Sequence, residues 1–138
     1  MDIATYEVQG RVPVTVLQPQ GDVDGRTYQE LIARGQEACN AGAQTIVIDL
    51  GGVRYLSSAG LMAIQSIARL LEGQKALDLE AGWGAMHAVK NELAAKHGPD
   101  PHLKLVNPQP AVDKVLQMAG FTHVFEVYAD VKAAVASF

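Results

Sequence analysis

The run Thr45-Ile-Val-Ile-Asp-Leu50 constrains the fold of this chain more than any other feature. It is rich in β-branched residues and shows almost no alternation of apolar and polar residues, which is typical of a central strand covered on both faces. Gly51-Gly52 then breaks the strand. Because a strand of this kind belongs to a parallel sheet packed by helices, we expect an α/β fold.

The residues before this strand predict an opening β-hairpin and a first helix. Residues 3–8 and 12–17 are two short β-rich runs, which indicate the hairpin. Residues 18–25 hold one proline, two glycines and two aspartates, and this turn chemistry predicts an exposed loop. A helix should follow from Thr27, which has the spacing of a capping box with Glu30.

The residues after the central strand continue the alternation of helix and strand. The predicted elements are a helix that opens at Ser57-Ser58, a strand at residues 103–106, a helix that stops at Gly120, a strand at residues 123–128, and a short helix capped by Asp130. Strands separated by helices favour a mainly parallel sheet. At 138 residues, the whole chain is expected to form one domain, residues 1–138.

Residues 73–101 interrupt this alternation and are interpreted as an inserted arm. The segment contains Trp83, an amphipathic helical pattern that includes Met86, and the breaker run at residues 97–101. Inserted helices that carry Trp and Met often pack against a second subunit or against the parent domain, and both alternatives stay open. The prediction drawn from the first alternative is a homodimer formed through the arm.

Composition excludes several classes of function. The net charge of -4 comes from 15 acidic and 11 basic residues, and no run of Lys or Arg is present to bind nucleic acid. No window approaches the roughly 20 apolar residues of a membrane span, and the N-terminus lacks the pattern of a signal peptide. The lone Cys39 lies in an apolar helical pattern, so it suits a core position in a reducing cytoplasm.

Neither a metal site nor a catalytic site is indicated. The four histidines are too scattered for metal-ligand spacing, and no glycine-rich phosphate loop of a nucleotide-binding protein occurs. The serine pair lacks the Gly-x-Ser-x-Gly context of a hydrolase. We therefore expect a binding protein with no cofactor and no enzymatic activity.

The serine pair Ser57-Ser58 is the strongest local candidate for a functional site. Two hydroxyls lie where a strand passes into a helix, and a helix N-terminus stabilises an anion through its free N–H groups and its dipole. A phosphate on Ser58 would add about -1.5 to -2 charges there. The alternative is that these serines only cap the helix.

The surrounding sequence resembles a known family. The stretch Thr45-Ile-Val-Ile-Asp-Leu-Gly-Gly-Val-Arg-Tyr-Leu-Ser-Ser-Ala-Gly-Leu61 resembles the central motif of STAS domains, the anti-sigma factor antagonist family. The loop Leu17-Gln-Pro-Gln-Gly-Asp-Val-Asp24 is similar to that family's turn between the second strand and the first helix. Residues 103–112 and 120–128 resemble its C-terminal third. The resemblance covers nearly the whole chain outside the arm.

The resemblance implies a partner switch. In this family the unphosphorylated antagonist binds an anti-sigma factor of the histidine-kinase-like ATPase type, which frees the sigma factor. Phosphorylation by that kinase breaks the complex, and a phosphatase resets it. The family's phosphoacceptor falls on Ser58, and Ser57 is the alternative acceptor. Ser57 replaces the family's preceding Asp and Ala59 its following hydroxyl residue, so Ser58 and Gly60 are the matching positions.

The resemblance also implies a partner-binding face at the loop and at the start of the second helix. Its predicted members are Asp22, Asp24, Gly25, Ser57, Ala59, Met62 and Gln65. Asp24 has the alternative role of capping the first helix. Met62 departs from the core stripe of the helix and is a candidate exposed apolar contact, with the alternative that a methionine at a boundary position only fills space in the packing.

Two features keep a second function open: Ser57 stands where the family has Asp, and the chain carries the inserted arm. In that alternative, the chain is a STAS sensor or scaffold that is not phosphorylated and that binds a protein or a small ligand.

Overall fold

The computed structural model describes residues 1–77, 91–92 and 99–138. In these residues it contains seven strands and four α-helices. The strands are β1 (Ile3–Gln9), β2 (Pro13–Pro19), β3 (Gly21–Val23), β4 (Ile46–Asp49), β5 (Val53–Leu56), β6 (Leu103–Val106) and β7 (Val127–Tyr128). The helices are α1 (Tyr28–Asn40), α2 (Ser58–Leu71), α3 (Pro110–Met118) and α4 (Val131–Ala136).

The main sheet has five strands in the order β1-β2-β4-β6-β7. β1 and β2 pair antiparallel as the predicted opening hairpin, and the other three pairs are parallel. β4 lies at the centre of the sheet and all four of its residues are buried. The prediction of an α/β fold with a mainly parallel sheet is therefore confirmed.

Alternate residues of β4 face two separate apolar cores. Ile46 and Ile48 point into the larger core, which also contains residues of α1, α2 and α3. Val47 points into a smaller core with Ala134 and Val135 of α4. Because successive side chains of a strand face opposite sides, burial on both faces removes the alternation from the sequence.

Lys104 of β6 shows how a charged residue is accommodated in a buried strand. The residue is 4% exposed. Its ammonium group donates to the hydroxyl and the carbonyl oxygen of Ser137 at 2.7 and 3.2 Å. The same group lies 3.4 Å from a carboxylate oxygen of Glu126 and 4.3 Å from the centre of the Phe138 ring. These contacts compensate for the water that the ammonium group loses on burial.

The prediction of an exposed loop at residues 18–25 is wrong. Part of this stretch forms β3, which pairs in parallel with β5 in a separate two-stranded sheet. Val23 is completely buried in the larger core, and Pro19 ends β2 as a buried residue. Turn-forming residues dominate the composition here, but pairing with a distant strand decides the conformation.

The predicted strand at residues 123–128 is also mostly wrong. The strand is limited to Val127–Tyr128, and a 3-10 helix at Phe121–His123 precedes it. The N–H of Phe125 donates to the carbonyl oxygen of Phe121 at 2.8 Å, and the two rings pack 5.6 Å apart in the larger core. Burying both aromatic rings on one side requires a helical turn, because a strand would separate residues four apart by about 13 Å.

The predicted arm falls mostly outside the described residues, including Trp83 and the helical pattern that contains Met86. Glu92 is described, and it contacts α2. Within the described parts of the chain, no helix is long and apolar enough to cross a membrane.

Candidate functional site

Ser57 forms the N-cap of α2. Its hydroxyl oxygen accepts a hydrogen bond from the N–H of Gly60 at 3.3 Å, as a capping serine does. The same hydroxyl group donates to the carbonyl oxygen of Val23 at 3.3 Å, and the Ser57 N–H donates to that oxygen at 3.0 Å. Ser57 therefore both starts the helix and ties it to β3.

Ser58 occupies the first position of α2 and is exposed. Among the described residues its hydroxyl has no hydrogen-bond partner, in contrast to that of Ser57. The first turn of α2 contains no acidic residue, so the positive end of the helix dipole is not neutralised within the helix. An exposed hydroxyl at such a position can accept a phosphoryl group without breaking a bond of the fold.

The glycine at position 60 is required by close packing. A Cβ atom there would lie 2.7 Å from the carbonyl oxygen of Val23 and 2.5 Å from a methyl carbon of Leu56. Only a glycine allows the first turn of α2 to approach the two-stranded sheet this closely. The small sheet thus sets the position of the serine pair.

Asp22 and Asp24 lie beside this helix start and each pairs with an arginine. The carboxylate of Asp22 is 3.8 Å from the Nε of Arg54 in β5. Asp24 is 3.5 Å from the guanidinium group of Arg26. Gly25, between these last two residues, is exposed.

The Asp24 carboxylate is held mainly by a backbone hydrogen bond. The N–H of Arg26 donates to it at 2.9 Å. This bond, together with the charge of the Arg26 side chain, lowers the pKa of Asp24 below its ordinary value, although partial desolvation opposes the shift. The carboxylate thus forms a hydrogen bond within its own loop. The Asp24 carbonyl oxygen accepts hydrogen bonds from the N–H groups of Thr27 and Tyr28.

The predicted capping box at Thr27 is wrong. Thr27 precedes α1, but its side chain makes no capping bond. Its hydroxyl instead donates to the carbonyl oxygen of Asp22 at 2.7 Å and accepts from the N–H of Asp24 at 3.0 Å. Glu30 contacts the N-terminal ammonium group at 3.3 Å. Thr27 therefore stabilises the loop that carries both aspartates.

Of the two alternatives for Met62, the exposed contact is wrong and the packing role is confirmed, and Gln65 is also buried. Met62 is 8% exposed and packs in the larger core, and Gln65 is 1% exposed. The Nε2 of Gln65 donates to a carboxylate oxygen of Glu92 at 2.6 Å, and Glu92 also pairs with Arg69. All residues from Met62 to Ala68 are buried, so this part of α2 is covered on every side.

Ala59 lies beside the two serines and is half-buried. The predicted site residues that the structure brings together are thus Asp22, Asp24, Gly25 and residues 57–59. They surround the junction of β3, β5 and α2.

Sequence reasoning missed three exposed side chains at this junction. Tyr55 is 53% exposed, and the exposed arginines Arg26 and Arg54 hold the two aspartates described above. The signal was present in the sequence, because Arg54-Tyr55 lies between Val53 and Leu56, which are the residues that β5 buries. Aromatic and arginine side chains are enriched at the centres of protein interfaces.

In the described ranges, no group of three or more His, Cys, Asp or Glu side chains could act as a ligand set for a metal ion. Cys39 lies elsewhere, partly buried against the larger core, and burial raises the pKa of its thiol. That change disfavours the reactive thiolate.

This chain is similar in sequence to a known family and to a named relative. The family model described as "Mlab, STAS domain" matches residues 7–97. BtrV of Bordetella bronchiseptica, whose name assigns it to the anti-sigma factor antagonists, is 28% identical over 119 residues, which are 86% of this chain and 81% of BtrV.

Two solved structures share the fold at low sequence identity. TM1081 of Thermotoga maritima superposes with a TM-score of 0.70 at 16% identity, over 98% of this chain and 92% of the other. The phosphorylated form of the Bacillus cell fate determinant SpoIIAA superposes with a TM-score of 0.60 at 20% identity, over 99% and 98%. Since the family model spans well over half of the sequence, the chain belongs to the STAS domain family, the family of the anti-sigma factor antagonists.

Proposed function

We propose that this protein is an anti-sigma factor antagonist that is switched off by phosphorylation of Ser58. The observation that carries the proposal is the division of roles between the two serines. Ser57 uses its hydroxyl to cap α2 and to hold β3, whereas Ser58 presents an exposed hydroxyl at the next position. Ser58 is therefore the better acceptor, and Ser57 is the alternative.

The surroundings of Ser58 would stabilise a phosphate. The free N–H groups and the dipole of a 14-residue helix favour a dianion at the first position. Arg26 and Arg54 are exposed cations on the neighbouring loop and strand. Both are already paired with aspartates, so a phosphate would compete with those carboxylates for the arginines.

The proposed partner is an anti-sigma factor of the histidine-kinase-like ATPase type. It would contact the face formed by Asp22, Asp24, Gly25 and residues 57–59, and a phosphatase would remove the phosphate afterwards. A dianion placed in this interface adds repulsion and a desolvation cost of several kcal/mol against an acidic, nucleotide-bound partner. The complex would dissociate without any change in the fold. This cycle uses ATP and belongs in the cytoplasm.

Two relatives support this proposal. BtrV carries the name of an anti-sigma factor antagonist, and it aligns with 86% of this chain. SpoIIAA, which shares the fold, exists in a phosphorylated form.

The test of the acceptor is a kinase assay on matched variants. The chain, Ser58→Ala and Ser57→Ala are incubated with ATP and the kinase-type anti-sigma factor encoded nearest to the gene of this protein, and the modified residue is located by mass spectrometry. We expect a single phosphate on Ser58 that is lost in Ser58→Ala and retained in Ser57→Ala. A chain unmodified at both serines would remove the phosphorylation switch.

The test of the switch is a binding assay that compares two variants, each with a negative charge introduced at the start of a different helix. Ser58→Asp places the charge at the first turn of α2, and Ala111→Asp places the same charge at the exposed first turn of α3. We expect Ser58→Asp to weaken binding of the anti-sigma factor at least tenfold, whereas Ala111→Asp should bind as the unmodified chain does. Equal affinities for both variants would contradict the switch.

A second candidate function is a STAS sensor or scaffold that is never phosphorylated. The observation that favours it is Ser57, which replaces the family's Asp and acts as the N-cap. In that case Ser58→Asp retains every partner, and the kinase assay detects no phosphate.

A further inference from the structure

A cleft of about 550 Å³ opens between the hairpin and the C-terminal half of α1. Its walls include Thr5 and Glu7 of β1, Thr15 of β2, and Arg34 and Glu37 of α1. The cleft adjoins the residues at which β2 and β4 begin. The serine pair follows β5 and lies at the opposite end of these strands, so the cleft is separate from the proposed partner-binding face.

The outer edge of the main sheet beside this cleft is unusually open. β1 is an edge strand, and its seven residues pair with β2 in an unbroken register. Natural edge strands are normally protected by a lysine, a proline, a bulge or short length, because their free N–H and C=O groups can pair with another strand. β1 has no lysine, proline or bulge and is seven residues long, its one charged residue is Glu7, and residues 4–7 are all exposed.

The two faces of β1 differ in chemistry. Thr5 and Glu7 share the face of Ile3, which points into the larger core under α1. Tyr6 is on the opposite face, together with Val8, which packs against the smaller core. Tyr6 is 42% exposed. A strand added to this edge would therefore meet a polar surface on one side and an apolar surface on the other.

The polar face is negatively charged. Glu7 and Glu37 contribute two negative charges and Arg34 one positive charge, which leaves a net charge of -1 on the cleft walls. The C-terminus of α1 adds about half a negative charge, and its last turn contains no basic residue. Among the described residues, neither Glu37 nor Arg34 has an ion-pair partner.

We propose that the β1 edge binds an extended segment of a partner protein in which lysine or arginine alternates with apolar residues. The backbone of the segment extends the sheet, its cations face Glu7 and Glu37, and its apolar side chains lie beside Tyr6. A second copy of this chain fits less well. Pairing β1 with β1 would bring Glu7 of each copy to an edge that is already acidic, and β1 has no cation to offer.

The test uses a fluorescein-labelled heptapeptide of alternating lysine and valine, with binding to the full chain followed by fluorescence anisotropy. Glu7→Gln and Glu37→Gln should each weaken binding about threefold to tenfold, because each removes one attractive charge. Gln36→Lys is the matched control. It makes the same change in net charge on the residue that precedes Glu37, and this residue does not line the cleft. The affinity for the lysine peptide should therefore stay within about twofold at physiological salt.

Three outcomes would overturn this proposal: no saturable binding of the lysine peptide, equal binding of a glutamate-valine heptapeptide, or a dimer of the chain that excludes the lysine peptide. The last outcome would assign the edge to a second copy. Ser58→Asp should bind the lysine peptide with unchanged affinity, so the outcome is independent of the phosphorylation switch.

Discussion

At the scale of single residues, the two adjacent serines have different consequences for stability and for function. The Ser57 hydroxyl is bonded to Gly60 and Val23, whereas the Ser58 hydroxyl faces solvent. The energetic role and the proposed chemical role therefore belong to different side chains, although the residues are chemically identical.

The two roles separate in a stability measurement. Ser57→Ala should lower the free energy of unfolding by about 1 kcal/mol, because it removes the cap of α2. Ser58→Ala should change it by less than about 0.5 kcal/mol, as is usual for exposed positions. Urea unfolding of both variants measures the difference. Equal losses would mean that the cap is shared between the serines.

The stability that the Asp24 carboxylate contributes to the fold should decrease at low pH. Its pKa is lower in the folded chain than in the unfolded chain, mainly because the Arg26 N–H donates to the carboxylate. The stabilisation is therefore complete above the unfolded pKa of about 3.9 and is lost as the pH falls through the lower folded value.

An NMR titration of the Asp24 carboxyl carbon measures this shift directly. We expect its midpoint to lie below that of the same aspartate in the urea-unfolded chain. Asp24→Asn should make the free energy of unfolding less dependent on pH below about pH 4. A folded midpoint at or above the unfolded one would contradict the hydrogen bond.

At the scale of elements, the start of α2 depends on its contact with the β3–β5 sheet. The carbonyl oxygen of Val23 receives two hydrogen bonds from Ser57 and lies against the backbone of Gly60. The small sheet therefore acts as the platform on which the serine pair is presented.

A side chain at Gly60 tests this platform. Gly60→Ala should destabilise the fold by about 1–3 kcal/mol, because the new Cβ would meet backbone and core atoms. This cost exceeds the gain of about 1 kcal/mol that alanine brings to a helix. Gly25→Ala is the control, since a Cβ at that position meets no atom within 4 Å. Equal urea midpoints for the two variants would contradict the close approach.

The elements that could be predicted from the sequence are those with a local signal. β4 is marked by a β-branched run with almost no alternation, and the short last helix by Asp130, whose side chain accepts from the N–H of Ala133. β3 and β5 escaped prediction because strands of three and four residues carry little pattern, and their pairing joins segments about thirty residues apart.

The site could be predicted only in part for a related reason. The position of the serine pair at a helix start is a local property, and the structure confirms it. The burial of Met62 and Gln65 is not local. Periodicity shows that α2 has one apolar face, but it does not show that polar Gln65 meets Glu92 on another side.

At the scale of the whole molecule, the described surface divides into two ends. The serine pair, both loop aspartates and Tyr55 gather at the end where β5 passes into α2. The acidic cleft lies at the other end, and the open edge of β1 runs along the side of the sheet between the two ends. A chain with two separate binding surfaces could hold a switch partner and a second protein at the same time.

The predicted homodimer through the arm also belongs to this scale. We expect light scattering to give twice the mass of one chain, and a variant that lacks residues 74–99 should give the mass of a monomer, because the arm would supply the interface. Circular dichroism must show that the shortened chain keeps its helices and strands. An unchanged mass on shortening would remove the arm from the interface.

The bonds between Val23 and Ser57 also bear on when the proposed phosphorylation can occur. These residues are 34 positions apart, so a ribosome must release both segments before the serine pair acquires its surroundings. A kinase that reads this surface would ignore nascent and misfolded chains, and short peptides around Ser58 would be poor substrates. Only chains that have completed folding would then be phosphorylated, so the proposed switch would also act as a form of quality control.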